Sequence, residues 1–232
     1  MAPLRNNPYL HERTVAVIDA ETIPLDDPSV REEIARSIVM PGQISKPETA
    51  QAWEATKKPA LVEEAFARGG LSASTGRICC IGVVTNATQM SFCGPDESEL
   101  LRLAYDYIGA MPDPITFAGH NLVGFDLPFL RQRSIVNGIK PPPSLRNAWN
   151  AKPCDTDRVF DTMLQWSHDR QQRISLDRLC KLLGIESPKA NGIDGSKIWP
   201  MWQEGKLQEI ANYCVADCVA TLEVVKRIQA VV

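Results

Sequence analysis

The chain has 232 residues, 44% of them hydrophobic and 23% charged, enough to bury a core of its own as a single domain spanning residues 1–232. A formal net charge of −3 excludes a protein that wraps long duplexes by neutralising phosphates. No apolar run approaches the ~18 residues of a membrane span, and Met1 to Asn7 lack the apolar stretch of a signal peptide, so a soluble cytoplasmic protein with no membrane contact is expected.

The first element in chain order is Thr14-Val15-Ala16-Val17-Ile18, a β-branched run that predicts a buried strand whose extension Pro24 limits. Asp19 and Glu21 follow at its end. Side chains two apart on an extended chain point to one side, so both carboxylates can face a single point, where a metal ion is the natural occupant. A long excursion over residues 25–74 separates this strand from the next, with helices expected over 30–37 and 47–68, the second interrupted near Pro59. Leaving the strand end that carries the carboxylates, the excursion either covers a site and guides a chain toward it, or packs as decoration on the sheet edge.

Residues 78–85 and 89–93 are expected to form a hairpin around Asn86-Ala87, followed by a helix over 96–108. The strand predicted over 114–118 runs through Gly119 into Asn121-Leu122-Val123-Gly124-Phe125-Asp126 and a helix over 127–137. Pro128 suits that helix's first turn, and Asp126 just ahead of it has an ordinary N-cap role available. A proline turn at 141–143, a short strand at 158–160 and helices over 162–169, 175–183 and 207–228 complete the chain. On the last helix Leu207, Ile210, Ala211, Val215, Val219, Leu222 and Val225 recur at helical spacing. Tyr213 and Asp217, four apart, then share a face beside that stripe. Three leading strands followed by alternating strand and helix give an α/β fold, a mixed sheet with helices on both faces.

Each acidic patch has a bland explanation alone, but their order does not: Asp-x-Glu on the first strand, Asn-x-x-x-Phe-Asp where strand meets helix, Tyr-x-x-x-Asp on the last helix. In this order the chain resembles the Asp-Glu-Asp-Asp exonucleases of the ribonuclease H-like fold, the DnaQ-like 3′-5′ exonucleases. Tyr213, with Asn212 where the other large subgroup has a histidine, matches the tyrosine (DEDDy) subgroup. The closer resemblance is to the predicted 3′-5′ exonucleases related to the proofreading domain of family B DNA polymerases. It is carried by Gly76-Arg77-Ile78, by His120 through Asp126, by Ser175-Leu176-Asp177 with Leu182-Leu183-Gly184-Ile185, and by Gly192-Ile193-Asp194-Gly195-Ser196.

The resemblance implies a ribonuclease H-like mixed sheet and a nuclease that removes nucleotides from the 3′ end of single-stranded DNA, or of RNA, with two divalent cations, Mg²⁺ or Mn²⁺. It implies that Asp19 bridges the ions, that Glu21 and Asp217 bind the ion activating water, that Asp126 supports the other through water, and that Tyr213 orients the attacking water or helps to deprotonate it, orientation being the safer role because a free tyrosine titrates at ~10. Thr22 and Ile23 would touch the terminal nucleotide. Asn121 and Phe125 would line the strand's path, Phe125 being equally suited to stacking or to the core. The alternative is a catalytically silent nucleic-acid-binding or scaffolding module of the same fold, which loss of a metal ligand would mark; none is missing.

Other features compete less well. Cys79, Cys80, Cys93, Cys154, Cys180, Cys214 and Cys218 include no Cys-x-x-Cys pair, and reduced, buried thiols are expected, although Cys214 and Cys218 lie one turn apart on the last helix. His11, His120 and His168 form no evident cluster. Asp155, Asp157 and Asp161 are expected to be structural, with Asp161 the candidate exception. The turn-rich Gly192-Ile193-Asp194-Gly195-Ser196-Lys197 can offer backbone N–H groups to a phosphate but is not a Walker loop. Arg131, Arg133, Lys140, Arg146, Lys181, Lys189 and Lys197 are surface cations, two or three of which are expected to reach phosphate, and Trp199 and Trp202 either pack the last helix or edge the cleft.

Overall fold

A computed structural model describes residues 13–152, 155–167, 172–188 and 192–231. His11, Cys154, His168 and Lys189 lie outside the described residues, as does the end of the helix expected over 162–169. The chain divides into two compact units, one containing the described residues up to Glu21 and from Ile78 onward, the other Thr22–Arg77.

Five strands make one sheet: β1 (Thr14–Pro24), β2 (Gly76–Val84), β3 (Gln89–Cys93), β4 (Ile115–Gly119) and β5 (Val159–Asp161), in the order β3-β2-β1-β4-β5. β1 and β4 are parallel with Val17 opposite Ala118, β4 and β5 are parallel, and β2 and β3 are antiparallel with Cys80 opposite Cys93, so the sheet is mixed. The β2–β3 turn falls where expected: Thr85 and Thr88 close it through Thr85 N–H to the Thr88 carbonyl at 2.8 Å. β1 runs well past Ile18, so Asp19 and Glu21 lie within the strand rather than at its end. Thr22 and Ile23 are themselves β-branched, and proline is tolerated at a strand's last position, where no ladder donor is required.

The helices of the larger unit form two groups. α4 (Glu97–Gly109), α5 (Asp126–Asn137) and α6 (Pro143–Trp149) pack on one another, α4 also on β3 and α6 on β4. α7 (Thr162–Ser167), α8 (Leu176–Leu183) and α9 (Ile198–Gln203) pack around α10 (Leu207–Gln229), which crosses β3 and β4. Val17, Val84, Ala118 and Phe160 from four strands share a core with Leu179, Cys218, Leu222 and Val225. The expected proline turn is instead the start of α6: Pro142 is its N-cap and Pro143 its first residue, where a missing N–H and a fixed φ cost the helix nothing.

A Cβ at Gly82 would stand 2.9 Å from Cys218 Sγ and 3.0 Å from Cys214 Sγ, so α10 lies directly on β2 at this point. Elsewhere a buried ion pair fastens α4 to α5. Glu97 Oε2 accepts from Arg133 Nη2 at 2.7 Å, Oε1 from Arg133 Nε at 2.9 Å and from the Ile78 N–H at 2.7 Å, and Asn137 Nδ2 adds a bond of 2.9 Å. Arg133 is therefore a structural cation and not one of the expected phosphate contacts.

The unit Thr22–Arg77 contains α1 (Pro28–Ser37), capped by Asp27 with Pro28 at its first position, then α2 (Pro47–Ala52), a π turn (Trp53–Lys57) and α3 (Lys58–Ala67). The expected interruption near Pro59 is this π turn. Pro59 has no N–H to offer the carbonyl four residues back, and the Lys58 N–H bonds to the Trp53 carbonyl one residue beyond helical spacing. Arg31 ties α1 to α3 by pairing with Glu63 and lying 3.7 Å over the centre of the Phe66 ring.

Candidate active site

Strand alternation places the side chains of Asp19 and Glu21 on the same side of β1 as Val17, whose neighbours come from α10. The Cys214 thiol of α10 reaches Asp19 Oδ2 at 3.5 Å, which fixes the pair against that helix. Asp126 approaches from α5. It is the first residue of that helix and not its N-cap, a position held by Phe125 without a side-chain cap. Its Oδ1 accepts instead from the Ala20 N–H at 3.0 Å, tying the start of α5 to the β1 backbone between the two acids. Tyr213 and Asp217 lie one turn apart on α10, Tyr213 only 7% exposed, so the pair does not face open solvent.

Electrostatics confirm that these groups share one space. Burial, then the Asp217 charge, raise Asp19 from 3.8 to about 7. Glu21 is pushed well above the carboxylate range by burial and by Asp19, Asp217 and Asp126, and Asp126 by burial and Asp19. Burial and the charges of Asp217, Glu21 and Asp19 raise the Tyr213 phenol, which also hydrogen-bonds to Asp217. Four carboxylates in mutual repulsion are stabilised by whatever brings positive charge among them.

The donor set fits hard divalent cations, which take carboxylate oxygens. Among the described residues, Asp19, Glu21 and Cys214 offer ligand atoms within 4.8 Å of one another. Cys214 adds a sulfur that the spacing of the acids gave no reason to expect. It belongs to a set of free thiols in which Cys214 bonds to Cys218 and to Cys80, and Cys80 to Cys93; thiol contacts and burial raise Cys80, Cys93 and Cys214, and burial raises Cys218, which keeps all four neutral.

The loop leading to Asp126 is held by a residue that sequence reading left at the margin. Asp161, buried at the end of β5, accepts from the N–H groups of Asn121 at 3.1 Å, Met163 at 3.0 Å and Leu164 at 3.3 Å on Oδ1, and of Val123 at 3.0 Å on Oδ2. It is a positioning residue: it caps α7 and pins the Asn121–Asp126 segment to β5. His120 adds a second fastening, its Nε2 donating to the Ile174 carbonyl at 2.8 Å and its Nδ1 meeting the Thr162 hydroxyl at 2.9 Å. Burial lowers its pKa and keeps it neutral. Asn121 has a left-handed φ of 61°, and its Oδ1 would stand 2.4 Å from any Cβ at Gly124, so a larger residue there would require the Asn121 amide to move.

The other candidates separate clearly. Phe125 is half-buried with its ring 5.4 Å from that of Phe129, so it is neither free nor wholly core. Thr22 is half-buried and Ile23 is 1% exposed, its backbone packed on Gly70 within the smaller unit. Asp155 pairs with Arg158 at 3.1 Å and Lys181 with Asp177 at 2.9 Å. The 192–197 loop closes on itself: Lys197 Nζ donates to the Gly192 carbonyl, and Asp194 accepts from the Ser196 N–H at 2.9 Å. α9, which carries the half-buried Trp199 and Trp202, packs on α10.

A family model described as "Predicted 3'-5' exonuclease related to the exonuclease domain of PolB" matches residues 76–232, more than half of the chain. The chain belongs to this PolB-related exonuclease family. Asp126, Tyr213 and Asp217 fall inside the matched segment, whereas Asp19 and Glu21 precede it. The family B DNA polymerase from the hyperthermophilic archaeon Pyrobaculum calidifontis has a similar fold, with a TM-score of 0.58 and 15% identity over 93% of this chain and 24% of that one. Escherichia coli Exonuclease I, solved in complex with a dT13 oligonucleotide, aligns with a TM-score of 0.48 and 13% identity over 94% of this chain and 41% of that one. The chain thus spans less than half the length of either protein. No curated protein matches it significantly in sequence. This member of the PolB-related exonuclease family has the ribonuclease H-like fold, a mixed five-stranded sheet flanked by helices. No helix among its described residues is long and apolar enough to cross a membrane.

Proposed function

We propose that the protein is a metal-dependent 3′-5′ exonuclease of the tyrosine subgroup, hydrolysing the terminal phosphodiester bond at the 3′ end of single-stranded DNA. The observation that carries this reading is that Asp19 and Glu21 on β1, Asp126 at the start of α5 and Asp217 on α10 are electrostatically coupled beside Tyr213, Glu21 and Asp126 buried and Asp19 and Asp217 partly so. These four carboxylates would hold two divalent cations, Mg²⁺ or Mn²⁺, which when bound neutralise phosphate charge and stabilise the entering and leaving oxygens. Asp19, central to the charge network, would be the shared ligand, with Glu21 and Asp217 serving one ion and Asp126 the other.

Burial and the neighbouring carboxylates push the Tyr213 phenol above its usual range, so it would serve as a hydrogen-bond donor and acceptor that orients water rather than as a base. Asp126 is held by Ala20, and through Asp161 the turn that precedes it is fixed before substrate arrives. Preorganisation of this kind is what positioning a scissile bond requires. Asn121 and Phe125 line the strand's path. The relation of the family to a DNA polymerase's exonuclease domain supports DNA over RNA. Free thiols, six of them among the described residues, support a reducing, cytoplasmic setting. Residues 25–74 would be an insertion within a single nuclease domain.

The test is a time course on single-stranded DNA and RNA labelled at the 5′ end, with Mg²⁺, Mn²⁺ or a chelator. A ladder shortening from the 3′ end, faster on DNA and absent with chelator, is expected. Label lost first from the 5′ end, or shortening that persists in chelator, contradicts the reading.

A further inference from the structure

A cavity of about 330 Å³ lies among α5, α6, β5 and α7, apart from the carboxylate cluster. That volume falls within the ~300–1,000 Å³ of small-ligand sites. Leu127, Leu164 and Trp149 give it an apolar wall, while Arg131, Lys152 and Gln165 supply polar groups. Arg131 and Lys152 are exposed and, among the described residues, neither joins an ion pair, unlike Arg133 on the same helix. Asp161 also lines the cavity, but both its oxygens are occupied by backbone N–H donors. The Trp149 indole N–H is buried and meets no acceptor among the described residues.

Two unpaired cations at the rim of an apolar slot call for an anion carried on a flat, largely apolar body. We propose that this cleft binds one nucleotide unit, with the base against Trp149 and the leucines and the phosphate between Arg131 and Lys152. Gln165 can meet a base edge, and a modest turn of the indole exchanges an unmet donor for a bond to the ligand. Cations flanking a phosphate give the stronger, charge-assisted bonds. The cleft is linked to the carboxylates through one stretch of chain: Val123 lines it, Asp126 joins the cluster, and Asp161 pins the segment between. Such a unit comes either from the substrate strand upstream of its 3′ end or from free mononucleotide; that choice of source, though not the site itself, rests on the nuclease reading.

Titration of the whole protein with thymidine monophosphate in chelator, followed by calorimetry, tests the site without any bound metal. Saturable binding is expected, weakened about tenfold or more in an Arg131→Ala, Lys152→Ala double variant and unchanged in Asp19→Ala. Absence of saturable binding, binding undiminished in the double variant, or binding lost in Asp19→Ala overturns the proposal. With Mn²⁺ and thymidine oligonucleotides of increasing length, a strand source raises KM in the double variant for long substrates but not for a dinucleotide. A free-nucleotide source leaves KM alone at every length, and added thymidine monophosphate then changes the rate of the native enzyme but not of the double variant. Failure of the nuclease reading would leave the chelator titration intact, so the two are separable.

Discussion

Burial and the charges of Asp217, Glu21 and Asp19 raise the Tyr213 phenol, so its contribution in the proposed mechanism would be to hold water in place, the role that sequence reading already preferred. Tyr213→Phe should lower kcat by about 10²-fold, the low end of what positioned proton-transfer groups contribute, with KM little changed. The pH–rate profile should keep its shape, because no group that titrates near neutrality has been removed; loss of an ionisation from the profile would assign Tyr213 the part of a base. Asp161 acts differently. Asp161→Ala leaves the N–H groups of Asn121, Val123, Met163 and Leu164 without their acceptor, at about 1–3 kcal/mol for a buried donor left unmet. It should lower the melting temperature and the rate together, whereas Asp126→Asn should abolish activity with the fold intact.

At the scale of elements, β1 and α10 carry most of the proposed site, and α10 is seated on the sheet at Gly82 of β2. Gly82→Ala drives a methyl group into the Cys214 and Cys218 sulfurs and the Cys214 carbonyl, so α10 must shift and carry Tyr213 and Asp217 with it. We expect a loss of about 1–3 kcal/mol, as for other overpacked cores, and a fall in activity larger than the loss of stability explains. This contact also shows where sequence was readable. The periodicity of α10 and the hairpin turn at Thr85–Thr88 are local signals, and the structure places them as expected. The start of α6 was hidden because prolines mark turns and first helical turns alike. Asp126 looked like an N-cap because spacing to Pro128 suits one; only the fold brings Ala20, from a strand more than a hundred residues earlier, to take its oxygen. Cys214 and Asp161 stand out in the sequence, but their partners, distant along the chain, are not readable there.

Across the whole molecule the acidic cluster sets how stability responds to pH and to cations. A carboxyl whose folded pKa is raised contributes stability that is complete below its unfolded value and lost as pH rises through the folded one. For Asp19 that window runs from 3.8 to about 7. In chelator, Asp19→Asn should therefore match the native protein near the acid end of this window and exceed it in melting temperature above the alkaline end. Saturating Mn²⁺ at about 100 times its Kd should stabilise the native protein by about 2.7 kcal/mol, more at alkaline than at acid pH. A melting temperature indifferent to cation would show that the cluster binds none. Glu97 lies apart from this chemistry. Glu97→Ala strands the buried Arg133 charge and should cost about 3–5 kcal/mol, insensitive to divalent ions.

The most direct test of the central claim is single-turnover shortening of a 5′-labelled single-stranded DNA by the native protein and by Asp19→Ala, purified identically, with Mn²⁺ present and the fold of each checked by thermal unfolding. A folded Asp19→Ala protein that leaves the 3′ end intact while the native protein shortens it is the predicted result. Equal shortening by both would contradict the assignment of the cluster as the catalytic centre.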